Sequence, residues 1–386
     1  MAAVNKKYTI TANVLTPLSV GQGSETDWVL GVDFVVKNNV MYHLDMKKMQ
    51  EVGIDINRMT QLFLQQDSKG MLHLIGNKLE EVSDFRMKMP CFSSLPIKTF
   101  FRNQLTGQPI IPGSSLKGAI RSVLFAHFAK DKNVADMQKQ KSNALNESVF
   151  GSLKDGSDFM RFIQVGDITF PVNSTELVNT KIYNLRRPGQ EWEGGWKHAG
   201  QKTTEVFEET GFNTIYECLP YSRTGVGSLT IAQQTFDTYV KEMHTGSSPA
   251  KQEIMQQSAN ALCAIINNHT RQYLEKELKF FKKYMEGEYA DILMDEDDNN
   301  LGTIPLLLDE LDNLQPNECI IKLAAGTGFH SITGDWQYTD YTGGLLGQSR
   351  DNKDKFAKPK SRKIAVTDDG DGLFLDLMGF IKLTLE

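Results

Sequence analysis

Lys117 and Arg121 stand four residues apart in the run Ile111-Pro112-Gly113-Ser114-Ser115-Leu116-Lys117-Gly118-Ala119-Ile120-Arg121, so on a helix they share one face. Pro112-Gly113 marks a turn. Ser114 or Ser115 then offers an N-cap, since a short hydroxyl accepts a hydrogen bond from a free amide of the first turn. Leu116, Ile120, Val123, Leu124 and His127 recur at helical spacing and form a second, mostly apolar face. A lysine in the first turn opposes the helix dipole. An anion at the helix start accounts for it, because free amides and the positive dipole end attract phosphate there. An ordinary capped surface helix with two solvated cations accounts for it equally well, and the residues alone leave both readings open.

Two glycine clusters are the next candidates. Gly21-Gln22-Gly23 follows a strand pattern, but no Gly-Lys-Ser/Thr follows it and no G-x-G-x-x-G is completed, so nucleotide hydrolysis is poorly supported. Gly326-Thr327-Gly328 precedes Phe329 and His330. Small residues there expose backbone amides to phosphate, and an aromatic beside them can stack on an unpaired base for about 1–3 kcal/mol. An RNA contact is favoured over a plain glycine loop. The histidines, His43, His73, His127, His198, His244, His269 and His330, show no metal-ligand spacing, and Cys91, Cys218, Cys263 and Cys319 form no CxxC pair. His198 and His330 could serve as the base of a metal-free ribonuclease, although no second acid or base stands out.

The 111–121 segment closely resembles the signature of the RAMP superfamily, the repeat-associated RNA-binding proteins of CRISPR systems. Four further stretches agree with that family in chain order: Thr16-Pro17-Leu18-Ser19-Val20-Gly21-Gln22-Gly23, Val149-Phe150-Gly151, Ala325-Gly326-Thr327-Gly328-Phe329-His330, and Lys360-Ser361-Arg362-Lys363 with Leu377-Met378-Gly379-Phe380-Ile381-Lys382-Leu383. The last pair looks like the closing segment of one branch, the fifth Csm subunit of type III-A effector complexes, which caps the 3′ side of the guide RNA (crRNA). The resemblance implies an α+β fold of two ferredoxin-like (RRM-like) units, the second degenerate with helical insertions. It implies a guide-RNA role for Gly21 and Gly23, whose lack of side chains lets an RNA backbone pass close to the sheet. It also implies that the insertion around Arg186-Arg187-Pro188-Gly189, Trp192 and Gly194-Gly195-Trp196 (residues 181–205) forms a protruding thumb. The backbone subunit of such complexes cuts target RNA with a loop aspartate near its first glycine turn. Here Glu25, Asp27 and Asp33 are nearby, but the 28–109 segment departs from that subunit, so no catalytic aspartate is carried over, and Asp33 is assigned to a strand.

The elements that must position these residues follow from periodicity. Tyr8, Ile10, Ala12 and Val14 alternate as a half-buried strand, and residues 28–36 and 40–44 read as two strands joined by Lys37-Asn38-Asn39. Residues 46–80 are mixed helix and loop, 115–130 the basic helix, 131–148 a polar loop or exposed helix, and 162–170 a strand. Residues 206–217 read as a hairpin around Glu209-Thr210-Gly211. Residues 235–284 are mostly helical, with Leu262, Ile265, Ile266, His269, Tyr273 and Leu274 as a stripe. Residues 291–316 are acidic and expected to be partly mobile, and strands return from Ile320. A first domain over 1–230 and a second over 231–386 are expected.

The 386 residues carry a net charge of −6, which taken globally argues against a nucleic-acid binder. Its distribution argues otherwise. Residues 98–130 hold five Lys/Arg and no Asp/Glu, residues 350–363 hold seven Lys/Arg against two Asp, and residues 286–312 hold ten Asp/Glu and no Lys/Arg. The basic segments are those bearing family motifs. No stretch approaches the ~20 apolar residues of a membrane span, the first residues lack a signal-peptide pattern, and the sparse cysteines point to a reduced, cytoplasmic setting. The expectation is therefore a non-catalytic guide-RNA-binding cap without cofactor or metal. Gly21, Gly23, Arg102, Ser115, Lys117, Arg121, Arg186, Arg187, Gly326, Thr327, Gly328, Phe329, His330, Arg350, Lys360 and Arg362 would line its RNA path. Expected partners are crRNA and target RNA, a backbone RAMP subunit, a small helical subunit, and host nucleases for guide maturation. The rivals are an endoribonuclease using His198 or His330, a backbone-type subunit, and a pure scaffold.

Overall fold

Ile10, Ala12 and Val14 give the first strand one dry face, and all three are fully buried in a computed structural model of the chain. The described residues are 4–91, 93, 95–130, 132, 136–137, 142–186, 191–198, 203–204, 207, 211–243, 248–297, 301–328, 331, 361–368 and 372–386. The strands are β1 (Lys6–Val14), β2 (Phe34–Lys37), β3 (Val40–Leu44), β4 (Ser83–Lys88), β5 (Ile110–Ile111), β6 (Ile163–Val165), β7 (Ile168–Thr169), β8 (Glu176–Arg186), β9 (Glu193–Lys197), β10 (Thr203–Thr204), β11 (Thr214–Cys218), β12 (Thr224–Ile231), β13 (Glu318–Lys322), β14 (Ser361–Asp368), β15 (Leu373–Leu377) and β16 (Phe380–Leu385). The helices are α1 (Met46–Glu51), α2 (Ile56–Leu64), α3 (Ser68–Ile75), α4 (Gly113–Ala129), α5 (Ser142–Phe150), α6 (Gln233–Glu242), α7 (Pro249–Gln257), α8 (Ala259–Tyr284), α9 (Glu288–Met294) and α10 (Thr303–Asp312).

The fold is α+β, with antiparallel sheets covered by helices. The main sheet runs β13-β16-β1-β12-β7-β5, with β6 also on β12. In register, Ile10 faces Leu385 on one side and Gly227 on the other. Leu116, Ile120 and Leu124 of α4 and Leu262 and Ile266 of α8 share one core with Ile381 and Leu383 of β16. A second sheet runs β10-β9-β8-β14-β15, with β11 also on β8. It buries Tyr183, Leu185, Ile364 and Leu375 against Phe280, Phe281, Leu293, Ile304 and Leu307. Both sheets therefore draw strands from either side of residue 230. The small sheet β2-β3-β4 packs on α1 to α3. Each of those helices starts at an aspartate, Asp45, Asp55 or Asp67, whose carboxylate accepts a first-turn amide.

Several expectations change. α4 starts at Gly113, and neither Ser114 nor Ser115 caps it; Pro112 is the N-cap residue and makes no side-chain cap bond. The Gly113 amide instead donates to Asp167 Oδ1 at 2.7 Å. Gly113 lies so close to the Val165 and Gly166 backbone that a Cβ would collide, which brings the β6–β7 connection, and with it Asp167, onto the helix start. That connection also breaks the expected 162–170 strand in two. The first expected strand of the 28–36 region begins only at Phe34, and Asp33 sits in the preceding turn, its Oδ2 accepting the Val29 amide at 2.7 Å. Of the expected 206–217 hairpin, residues 206 and 208–210 lie outside the described residues; β11 pairs with β8 and β10 with β9. The acidic 291–316 region contributes α9 and α10, whose Leu293, Met294, Ile304, Leu307 and Leu311 are core residues. Acidity marks only the outer face of these helices.

Candidate nucleic-acid interface

Backbone hydrogen bonds stitch three of the five motifs together. The Gly379 amide donates to the Pro17 carbonyl at 3.0 Å, the Ala325 amide to Ser19 at 2.9 Å, and the Phe101 amide to Val20 at 2.7 Å. The Phe380 amide donates to Thr16 Oγ1 at 3.0 Å, and Gln22 Nε2 to the Phe100 carbonyl at 2.9 Å. The Ile110 amide in turn meets the Phe101 carbonyl, so the first glycine turn lies two ladder steps from the strand that feeds α4. Gly21 is exposed with open space where a Cβ would be, and Gly23 holds φ +119°. Gly326 holds φ +81° and backs onto Met378, where a Cβ would come within 2.8 Å. That position excludes any side chain for two independent reasons, conformation and space.

Lys117 and Arg121 lie together on α4, both half-buried, with Ser115 half-buried at its first turn. Burial lowers the Lys117 pKa, and the nearby Asp158 carboxylate opposes this. The Arg121 guanidinium lies 4.3 Å over the ring of Phe150, the central residue of the Val149-Phe150-Gly151 motif, and Nη1 reaches Asn146 Oδ1 at 3.4 Å. That motif is thus the floor on which the basic helix rests its arginine. Lys251 of α7 joins the group: its pKa too is lowered by burial and raised by Asp158, and Nζ donates to the Phe150 carbonyl at 3.2 Å. Lys117 and Lys251 share the pull of the Asp158 carboxylate, and Arg121 and Lys251 meet at Phe150.

The other basic residues are placed differently. Arg102 turns inward: Nη2 donates to Glu217 Oε1 and, at 2.8 Å, to Thr175 Oγ1, while Nη1 donates to the Gly107 carbonyl at 2.8 Å. Glu217 is fully buried and also accepts the Phe100 amide at 2.8 Å and Thr175 Oγ1 at 2.7 Å. The structure uses Arg102 to brace the segment beside the first glycine turn. Arg362 is buried as well, its Nε and Nη2 on the two oxygens of Glu277 at 2.9 and 3.1 Å, and its guanidinium 3.5 Å from the Phe280 ring centre. Arg186 ends β8 and pairs with Glu193 across the β8–β9 hairpin at 3.2 Å. That hairpin is the 181–205 insertion: Trp196 is core, and Tyr183 donates to the Tyr284 carbonyl at the end of α8. Arg187, Phe329, His330, Arg350 and Lys360 lie outside the described residues. Thr327 Oγ1 donates to the Ala324 carbonyl at 2.8 Å and Gly328 is exposed. Behind this loop, between α8 and the second sheet, lies a cavity of about 230 Å³. His198 is buried at the end of β9.

Sequence reasoning missed Glu217, Glu277, Asp158, Lys251 and Lys322. Lys322 is buried between Tyr273 and Phe380, donates to the Met378 carbonyl at 2.5 Å, and is pushed down to about 7 by burial against the pull of Glu277. The available signal was position. Glu217 sits two residues from Ile215 on the inward face of a strand, and Glu277 four residues from Tyr273 on an apolar stripe. Among the described residues no group of three or more His, Cys, Asp or Glu could hold a metal ion, and no helix is long and apolar enough to cross a membrane.

The RAMP superfamily model matches residues 11–246, and the chain belongs to that family of proteins. Two solved structures share its fold at 15% sequence identity. One is a chain of a Csm-crRNA-target RNA ternary complex of a type III-A CRISPR-Cas system, with a TM-score of 0.60 covering 98% of this chain and 100% of that one. The other is T. onnurineus Csm5, with a TM-score of 0.57 covering 82% of this chain and 90% of that one. No curated protein matches the chain in sequence.

Proposed function

We propose that this chain is the guide-RNA-binding cap on the 3′ side of a type III-A Csm complex, without catalysis of its own. The observation that carries the reading is the shared location of the family motifs: the Ala325 amide of the late glycine segment donates to the Ser19 carbonyl of the first, and the basic helix starts two backbone hydrogen-bond steps away. Lys117, Arg121 and Lys251 would hold phosphates, and Gly21, Gly23 and Gly328 would let the sugar-phosphate chain approach the backbone. Such contacts position RNA without reading its sequence. The fold shared with a chain of a Csm-crRNA-target RNA complex supports a place among Csm subunits with target RNA on the guide; the neighbours would be a backbone RAMP subunit and a small helical subunit. Guide maturation would then fall to host nucleases that trim up to the cap. His198, one of the two histidines on which an endoribonuclease reading rests, is largely buried, which favours the non-catalytic reading.

The test is co-purification of the assembled complex with wild-type chain and with Lys117→Ala/Arg121→Ala. The expected outcome is loss or lengthening of the mature guide, with no cleavage of guide by the isolated wild-type chain. Binding of single-stranded RNA should also lose about 1.4 from its log–log salt slope, about 0.7 for each phosphate contact removed. Unchanged guide and unchanged slope would reject the phosphate-holding role of α4.

A further inference from the structure

The cavity behind the late glycine loop has walls suited to something other than phosphate. Its volume of about 230 Å³ exceeds a single water, about 30 Å³ in the liquid, several-fold. It falls short of the roughly 300–1,000 Å³ of pockets that take whole drug-sized ligands. A single planar heterocycle, of one ring or two fused rings, fits between those limits. Ile182 of β8 and Leu377 of β15 supply apolar wall, and Tyr273 of α8 an aromatic one. Glu277 and Arg362 supply the polar edge. Both are buried, and their double hydrogen bond, backed by Phe280, fixes the carboxylate in place. A carboxylate offers about four lone-pair positions. Arg362 occupies one on each oxygen, so Glu277 retains acceptor capacity beside the cavity and has no donor to give. Gly326 to Gly328 and Lys363 also line the cavity, the Lys363 ammonium donating to the Tyr216 hydroxyl; glycine amides and an ammonium with donors to spare are the chemistry that a ribose-phosphate requires.

We propose that this cavity takes one unstacked nucleobase of the bound RNA, and that Glu277 favours a base whose exocyclic amine (adenine, cytosine or guanine) offers it a donor over uracil, whose single N3–H lies between two carbonyl oxygens that a carboxylate repels. The proposal rests on the RNA-binding reading above and adds a base-reading site to a surface otherwise devoted to phosphates. A base sandwiched against an aromatic and apolar wall gains affinity that salt does not remove, because no counterion is released by it.

The experiment uses the full chain and short oligouridines, each with or without a single internal adenosine or photoreactive 8-azidoadenosine. The single adenosine is expected to tighten binding about tenfold without changing the salt slope, and the azido probe to crosslink to a peptide containing Ile182, Tyr273 or Leu377. Ile182→Phe, which fills the cavity, should abolish both effects, and Ile182→Val should retain them. The crosslink on the wild-type chain tests the site even where a variant melts early. Oligouridine held with an ordinary salt slope, but no gain from adenosine or a crosslink elsewhere, overturns the base site and leaves RNA binding standing. Absence of salt-dependent binding to any of the oligonucleotides overturns both.

Discussion

Glu217 and Lys322 are buried ionisable groups, and each has a measurable consequence. Glu217 collects the Arg102 guanidinium, the Thr175 hydroxyl and the Phe100 amide beside the first glycine turn. Glu217→Ala strands these donors in a dry site, so a loss of about 3 kcal/mol is expected in urea unfolding. Thr175→Ala, which leaves the ion pair intact, should cost about 1 kcal/mol. Burial holds the Lys322 pKa at about 7, whereas an unfolded lysine titrates near about 10.4. Between those values the unfolded chain binds more protons than the folded one, so the lysine makes stability rise with pH across that window. Lys322→Met lacks that proton. The stability of the wild type relative to this variant should therefore increase from pH 7 to pH 9, read by urea midpoints; a flat difference would refute the assignment. Neither residue drew notice in the sequence, because a lone Glu or Lys inside a strand looks like any solvated one. Only the alternation that places Glu217 on the face of Ile215 hinted at its burial.

At the scale of elements, periodicity located the helices better than the strand partners. α4 and the stripe of α8 follow from local spacing, since a helix satisfies its own backbone hydrogen bonds within the segment. Strand pairing needs a second segment that local spacing does not name: β11 joins β8, and β10 joins β9. The cap of α4 is decided in the same way, because its acceptor, Asp167, arrives from a different element. The β8–β9 hairpin gives the sharpest element-level test. A Cβ on Gly194 would collide with the Tyr183 hydroxyl and the Tyr284 carbonyl, and the latter belongs to the backbone and cannot swing away. Gly194→Ala should detach the hairpin from the end of α8 and cost about 1–3 kcal/mol. Hydrogen exchange would show the change as faster exchange confined to β8, β9 and the last turn of α8.

At the scale of the molecule, the first and last strands are neighbours, β1 against β16, and the second sheet lays β14 on β8. A fragment of residues 1–230 lacks β13, β16, α8 and β14, and so leaves Ile10, Ala12, Val14 and Tyr183 without their covering layer. We expect it to show no cooperative thermal transition by circular dichroism alone and to regain one when co-refolded with 231–386. A sharp transition in the isolated fragment would show that the expected 1–230 domain is autonomous. The motifs, the basic helix, the α+β class and the family were determined by the sequence itself, because each resides in residues close along the chain whose types and spacing speak directly. Which cations face outward was decided only by the tertiary structure. Lys117 and Arg121 stay half-exposed on α4, while Arg102 and Arg362 are claimed by Glu217 and Glu277, residues far away in sequence. The reason is physical: a buried carboxylate must be paired, and its partner is chosen by proximity after folding, which no local pattern encodes.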